Sequence, residues 1–351
     1  MKPHVLVIRL DNDGDVLLTG PAVRAIAAGA RFVSFLCGPR GRGAAELLPC
    51  VDAILEYRAP WIDPDPEPVD TGAVSRLVDQ LRQCAIDEAV IFTSFHQSPL
   101  PTALVLRLAG VARIAAISDD YPGALLDVRH HVLHDVHEVE RSLSLAEAAG
   151  YPLPEGDDAT LAVRPLPRCV PVDRYVVVHP GASMTARAGD PDLLRDVVSL
   201  LAEGGRRVLV TGSSRERRLT ARVAGEHGSD LGGRTTLADL AIVLAGASAV
   251  VVGNTGPAHL AAAVGTPVVS LYAPTVPASR WRPWGVPHVL LGDQSIACAG
   301  CRARECPVPG HPCLSGVTAE TVVAAVESLA QRTSPRPDLE RRTTLLTGGR
   351  P

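Results

Sequence analysis

The stretch Val250–Thr275, VVVGNTGPAHLAAAVGTPVVSLYAPT, constrains the fold of this chain more than any other. Val250–Val252 closes an apolar run of strand character, and Gly253-Asn254-Thr255-Gly256 reads as a tight turn. Pro257–Val264 reads as a short helix, and Pro267–Tyr272 supplies a second β-branched run. A strand–turn–helix–strand unit of this kind belongs to an α/β sheet. Its turn leaves backbone N–H groups free at a helix N-terminus, where the partial positive charge suits a phosphate. Thr255 is placed as the N-cap, and Pro257 stands in the first helical turn, where no hydrogen bond is lost. An ordinary core turn would look similar. Asn254, Thr255 and His259, however, cluster three polar groups where a core turn needs none.

The same alternation runs along the chain. His4–Leu10 is a strand, and Val16–Ala28 has helical spacing with Val16, Val23, Ile26 and Ala27 on one face. Strands follow at Arg31–Cys37, Val51–Tyr57, Glu88–Thr93 and Arg113–Ile117, with helices at Gly38–Leu48, Val74–Cys84, Pro101–Ala109 and His137–Ala149. Such a series predicts a doubly wound, parallel sheet. From Pro152 to Asp173 the chain turns Pro-rich and loses periodicity, as linkers do. A second series then opens with a strand at Tyr175–His179, a helix at Asp192–Glu203 and a strand at Arg207–Thr211. Helices at Glu216–Glu226 and Leu237–Ala245 lead into the first-described unit, and Thr318–Arg332 is a last helix. We expect an N-terminal lobe over residues 1–165, a C-terminal lobe over 173–332 and a flexible tail over 333–351. Ligands in open α/β sheets sit beyond the carboxyl ends of the strands. Asp11–Asp15, Gly181–Arg187, Gly212–Glu216 and Asn254–Thr255 all fall at such ends, so the expected site is a cleft between two lobes.

Composition narrows the function classes. In 351 residues, 46% are hydrophobic but only 3% aromatic, so the cores are built from Ala, Val and Leu. Basic and acidic residues number 34 and 38 and are intermixed, which speaks against a nucleic-acid partner. No run reaches the roughly 18 apolar residues of a membrane span, and no signal peptide is recognisable. The expectation is a cytoplasmic protein with at most peripheral membrane contact.

Asp11, Asp13 and Asp15 invite a calcium reading that fails: Gly14 comes fourth, not sixth, and Ala22 holds the twelfth place. A dinucleotide fingerprint fails too, since Gly14 is the only glycine of that turn. What remains for Asp15 is an ionised carboxylate facing the cleft, able to take a proton from a hydroxyl nucleophile, or simply a cap for its helix. Ser183, Thr185 and Arg187 offer two hydroxyls and a permanent cation for a diphosphate, or a solvated loop. Glu216 can accept from a ribose diol or sit in a first helical turn. His259, one turn beyond Thr255, either reaches the phosphate or is structural.

In order and spacing, four segments resemble the glycosyltransferases typified by ADP-heptose:lipopolysaccharide heptosyltransferases, glycosyltransferase family 9. They are VLVIRLDNDGDVLLTGPAVRAI, HPGASMTARAGDP, VLVTGSSRER, and GNTGPAHLAAAVGTPVVSLYAPT with the following RWRPWG. The resemblance spans roughly residues 4–330. It implies the GT-B fold, two Rossmann-like domains facing each other across a central cleft, and inverting transfer from an ADP-sugar without a catalytic metal. It implies Asp15 as general base, Arg187 on the nucleotide phosphates with Ser183 and Thr185, and Glu216 on the ribose. Thr235 would border the adenine, and Asn254, Thr255, Gly256 and His259 would line the diphosphate turn. Two positions depart from the family pattern: Asn254 replaces an aspartate, and Ala188-Gly189-Asp190-Pro191 replaces a Trp-Pro. The acceptor, a glycan, a lipid-linked sugar or a small natural product, is expected to meet Asp13, His96, His137 and Arg141. A nucleotide-sugar-binding or -hydrolysing protein of the same fold, or an epimerase, is the alternative.

Cys298, Cys301, Cys306 and Cys313 fall close together near His311. Four thiolates at this spacing suffice for a tetrahedral zinc site, but the spacing is looser than paired knuckles. Free thiols or a disulfide are the preferred expectation, and any zinc would be structural.

Overall fold

The computed structural model describes residues 1–132, 135–167 and 175–332, without the side chains of residues 331 and 332. Two six-stranded sheets carry the architecture. The first contains β1 (His4–Arg9), β2 (Phe32–Cys37), β3 (Ala53–Glu56), β4 (Glu88–Ile91), β5 (Arg113–Ile117) and β6 (Val128–His130). The second contains β7 (Tyr175–His179), β8 (Arg207–Val210), β9 (Ser229–Asp230), β10 (Ala247–Gly253), β11 (Val268–Leu271) and β12 (His288–Leu291). Their orders are β3-β2-β1-β4-β5-β6 and β12-β11-β10-β7-β8-β9, with every pairing parallel. Both are the doubly wound Rossmann order, read in opposite directions. Helices cover both faces, so the central strands β1 and β7 are buried along their whole length.

This topology decides where ligands go. Strand order reverses between β1 and β4 and again between β7 and β10, and a crevice opens at the carboxyl ends of such pairs. The segments leaving β1, β7 and β10 are Leu10–Asp15, Pro180–Arg187 and Asn254–Gly256. Those three segments carry Asp13, Asp15, Ser183, Thr185, Arg187, Asn254, Thr255 and Gly256.

Most expected elements form near their expected bounds, and three differences are informative. The helix anticipated over Val16–Ala28 is two helices, Asp13–Leu18 and Gly20–Gly29. Pro21 has no N–H to give the carbonyl four residues back, so the first helix ends at Thr19 and a new axis begins. The edge strands β6, β9 and β12 were not anticipated; two of them are three residues or fewer and exist through pairing with a neighbour. The irregular stretch from Pro152 is not loose. Leu161 is buried, Arg164 N–H and Nε–H donate to the Leu47 and Leu48 carbonyls at 2.7 and 2.8 Å, and Asp157 forms a two-pronged pair with Arg24. Residues 168–173 of that stretch, and the expected tail over 333–351, lie outside the described residues.

One apolar cluster runs from the first lobe into the second. Val16, Leu17, Ala44 and Leu48 belong to the same core as Leu240, Ala241, Leu260 and Val250. The helices Leu237–Ala245 and Gly256–Ala263 are therefore held between the second sheet and the first lobe.

Candidate functional site

β1 is apolar until its last residue, Arg9, whose side chain is only 1% exposed. A guanidinium at that depth needs anions. It finds three: Asp11 at 2.8 Å, Asp15 at 3.2 Å and Glu138 at 3.4 Å. It also donates to Ser94 Oγ at 2.9 Å. One cation serves three carboxylates, so their environments diverge. Burial drives the Asp11 carboxyl above the usual range against the pull of Arg9, while the carboxylates push the Arg9 guanidinium up despite its burial. Asp15 is the most open of the three. It is the third residue of its helix, and Asn12 holds the N-cap position. Its carboxylate accepts from Arg9 and from no helix N–H, so capping is not its task.

Across from it stands the start of the Gly256–Ala263 helix. An ideal Cβ on Gly14 would lie 3.2 Å from Gly256 Cα and 3.0 Å from His259 Cδ2. The two helix starts can approach this closely because both positions are glycine. Thr255 takes the N-cap position, but its hydroxyl does not cap the helix as expected. Thr255 Oγ1, both amide atoms of Asn254 and His259 Nδ1 are buried without a hydrogen-bond partner. Such groups are costly unless a ligand satisfies them. Burial holds the His259 imidazole neutral, with its pKa pushed down to about 4. Arg187 ends a short 3-10 turn, Thr185–Arg187, and is half-buried. Burial lowers its pKa, and the Asp15 charge partly opposes that. Its guanidinium donates Nε–H to Thr275 Oγ1 at 3.1 Å, and no carboxylate pairs with it among the described residues. An under-neutralised cation thus lies beside a helix N-terminus and three orphaned polar side chains.

The remaining candidates are distributed around this point. Ser183 is exposed; Thr185 Oγ1 donates to the Arg304 carbonyl at 3.3 Å. Glu216 Oε2 accepts from the backbone N–H and hydroxyl of Ser213, each at 2.7 Å, in a capping box. Its Oε1 lies over Gly181, where an ideal Cβ would stand 2.0 Å away. Thr235 is half-buried, one residue before the N-cap Thr236 of the Leu237–Ala245 helix. Of the acceptor-side candidates, Asp13 accepts from Ala44 N–H at 2.9 Å, and burial pushes its pKa up to about 6. His96 packs edge-on to Phe95, and burial with nearby Arg302 pushes its pKa down. Arg141 donates to the Thr93 carbonyl. His137 has a different task from the expected one. Its Nδ1 accepts from Val139 N–H at 3.2 Å, its Nε2 donates to the Arg282 carbonyl at 2.9 Å, and its ring stacks on Trp284. Both nitrogens are spent on capping a helix and tying the lobes together.

Arg9, Tyr272 and Thr275 escaped the sequence reading. The available signal for Arg9 was a charge closing an otherwise apolar strand. Tyr272 and Thr275 follow β11, and a buried tyrosine beside Arg187 is visible only once the sheets are in place. The loop bearing Cys298, Cys301, Cys306 and Cys313 packs on the Thr185–Arg187 turn through Ala186 N–H to the Arg304 carbonyl at 3.0 Å.

With this geometry in view, the profile of glycosyltransferase family 9 (heptosyltransferase) matches residues 74–311. Lipopolysaccharide heptosyltransferase 1 of Pseudomonas aeruginosa is 30% identical over 316 residues, covering 86% of this chain and 87% of that protein. Its namesake from Escherichia coli O18:K1:H7 is 26% identical over 346 residues, covering 94% and 98%. In structure, a family 9 glycosyltransferase from Veillonella parvula superposes with a TM-score of 0.76 at 15% identity, covering 95% of this chain and 99% of that one. E. coli heptosyltransferase WaaC with ADP-2-deoxy-2-fluoro heptose gives 0.69 at 22% identity, covering 93% and 99%.

Proposed function

Because the chain belongs to glycosyltransferase family 9, the heptosyltransferase family, we propose that it moves a heptose-type sugar from an ADP-sugar to an acceptor hydroxyl with inversion. The observation that carries this reading is the set of unpartnered polar atoms on Asn254, Thr255 and His259, beside Arg187 and across from Asp15. The WaaC structure with an ADP-heptose analogue supports the choice of donor.

Asp15 takes the acceptor proton as the oxygen attacks the anomeric carbon from the face opposite the diphosphate. Arg9 keeps that carboxylate oriented through a 3.2 Å contact and leaves it partly open to an acceptor. Negative charge grows on the departing β-phosphate, where Arg187 and the N–H groups at Thr255 and Gly256 meet it. Neutral His259 and the Asn254 amide add hydrogen bonds without adding charge. Ser183 and Thr185 complete the phosphate turn, Glu216 holds the ribose and Thr235 borders the base. Asp13, His96 and Arg141 face a glycan, lipid-linked or small natural-product acceptor.

The test is ADP release from ADP-sugars with and without added acceptors, beside GDP- and UDP-sugars as controls. Release from an ADP-heptose that depends on acceptor supports the reading; turnover indifferent to acceptor removes it. Asp15→Asn is expected to lower kcat by about 10²–10⁴-fold while ADP affinity stays within a few-fold. Full activity in that variant removes Asp15 from the chemistry.

A further inference from the structure

The Glu138–Ala148 helix opens with two glutamates that have different partners. Glu140 completes the capping box, accepting from the His137 N–H at 3.0 Å. Glu138 has no share in that cap. Its side chain is 1% exposed, and a carboxylate at that depth needs a cation. Arg9 is the cation it meets, through Nη2 at 3.4 Å and Nη1 at 3.5 Å, both to Oε2. Oε1 is buried without a hydrogen-bond partner among the described residues. Ion pairs elsewhere in this chain close differently. Arg24 grips both oxygens of Asp157 at 2.7 Å, and Arg206 both oxygens of Glu327 at 3.0 and 2.6 Å. The Arg9–Glu138 contact is long and one-sided because the guanidinium is divided. Its Nε goes to Asp11 at 2.8 Å, while Nη2 alone serves Asp15 at 3.2 Å, Ser94 Oγ at 2.9 Å and Glu138. Glu138 and Asp15 thus draw on the same nitrogen.

We propose that Glu138 is a positioning residue for the transfer: by claiming part of Arg9, it keeps that cation from neutralising Asp15, so that Asp15 stays basic enough to take the acceptor proton. In the step itself the proton passes from the acceptor oxygen to the Asp15 carboxylate, and Glu138 neither gains nor loses one. This inference rests on the proposed role of Asp15 as base.

Other charged groups face Asp15 as well. Arg9 and Asp11 precede it, Asp13 shares its helix, His96 comes from the loop after β4, and Arg187 and His259 come from the second lobe. Burial favours the neutral form of both histidines. Of the other helices packed on that turn, Arg42 pairs with Glu46 and Glu56, and Arg24 is spent on Asp157. Arg141, one turn beyond Glu138, donates to the Thr93 carbonyl. Asp11 is held on Nε and by the Gln97 amide at 2.5 Å. Glu138 is therefore the carboxylate whose removal hands Nη2 to Asp15. The Glu138 field already reaches across the cluster: it helps to raise both Asp11 and Arg9, beside the larger effects of burial and of nearer charges.

The experiment titrates the Asp15 carboxyl directly, by NMR of the full chain carrying isotope-labelled aspartate and no ligand, with the signal assigned from Asp15→Asn. Glu138→Gln keeps the shape and removes the charge, and its Asp15 midpoint should fall by about one pH unit. Glu138→Asp keeps the charge and should restore most of that difference. Ser94→Ala takes a neutral partner from the same nitrogen and should move the midpoint far less. Transfer from ADP-heptose should follow. In Glu138→Gln the acid limb of kcat moves to lower pH with the Asp15 midpoint, and the plateau falls about threefold while ADP affinity holds. An Asp15 midpoint that stays put in folded Glu138→Gln overturns the proposal, and so does an equal shift in Ser94→Ala. Should Glu138→Gln not fold, the unaltered chain answers. Its Asp15 signal should bend a second time as Glu138 ionises, followed on labelled glutamate, and a single-step curve overturns the proposal. Failure of the wider reading looks different, because Asp15→Asn would then keep full activity whatever the Asp15 midpoint does.

Discussion

Asp11, Asp13 and Asp15 alternate along one short turn and end in three different environments. Asp11 is sealed against Arg9, Asp15 is held by Arg9 but open on one side, and Asp13 leans on the helix that starts at Arg42. For Asp13 the consequence is a pH dependence. Its folded pKa, about 6, lies above the ordinary aspartate value of 3.8. Protonated Asp13 thus favours the folded state below about pH 4, and that advantage is lost as pH rises through 6. A shift of two units corresponds to roughly 3 kcal/mol at most. Asp13→Asn keeps an oxygen for the Ala44 N–H and removes the charge. It should be more stable than the parent at pH 7.5 by about 1–3 kcal/mol and no more stable at pH 4, measured from urea midpoints. An equal difference at both pH values would show that the gain does not come from ionisation. The acidic turn was legible as three carboxylates at a strand end. Their division of labour was not, because it depends on Arg9, Glu138 and Ser94, which join from three separate elements.

At the scale of elements, close approach of backbones decides the geometry. β10 ends at Gly253, where an ideal Cβ would lie 2.3 Å from the Arg187 carbonyl oxygen. Backbone, not a side-chain tip, blocks that space, so Gly253→Ala must displace the Arg187 turn. The expected cost is about 1–3 kcal/mol in stability, with ADP affinity falling by more than kcat. Isothermal titration with ADP and a thermal melt check both; unchanged ADP affinity would separate Arg187 from the donor site. Gly181→Ala is a milder case, because the crowding group is the end of the Glu216 side chain. Periodicity located the strand–turn–helix unit well, from Val250 to Tyr272. It did not show that Thr19 divides the first helix, although Gly20-Pro21 was in plain view as the reason. Nor did it show the edge strands, whose existence depends on a neighbour more than on their own composition.

On the scale of the whole molecule, the two lobes are less independent than a linker and two Rossmann-like series imply. The shared core passes through the helices Leu237–Ala245 and Gly256–Ala263. Struts cross the same boundary: Arg304 pairs with Asp65 at 3.0 Å, Arg280 pairs with Asp135, and Trp284 Nε1–H donates to the Ala159 carbonyl at 2.9 Å. Arg280 and Arg302 each stack over Phe95, 4.2 Å from its ring centre. Unfolding should therefore occur in one transition. Fluorescence of Trp61, on the first lobe, and of Trp281 and Trp284, on the second, should change at one denaturant midpoint in single-Trp variants. Midpoints that separate by lobe would mean the apolar seam contributes little.

The sequence by itself determined two parallel α/β series, the polar loops at their strand ends, and the resemblance to family 9, since these follow from local periodicity and motif order. Only the tertiary structure decided which polar groups are left without partners and that one buried arginine serves three carboxylates. The reason is physical: pairing and burial depend on neighbours distant along the chain, and a one-dimensional pattern carries no record of which of them a fold brings into contact.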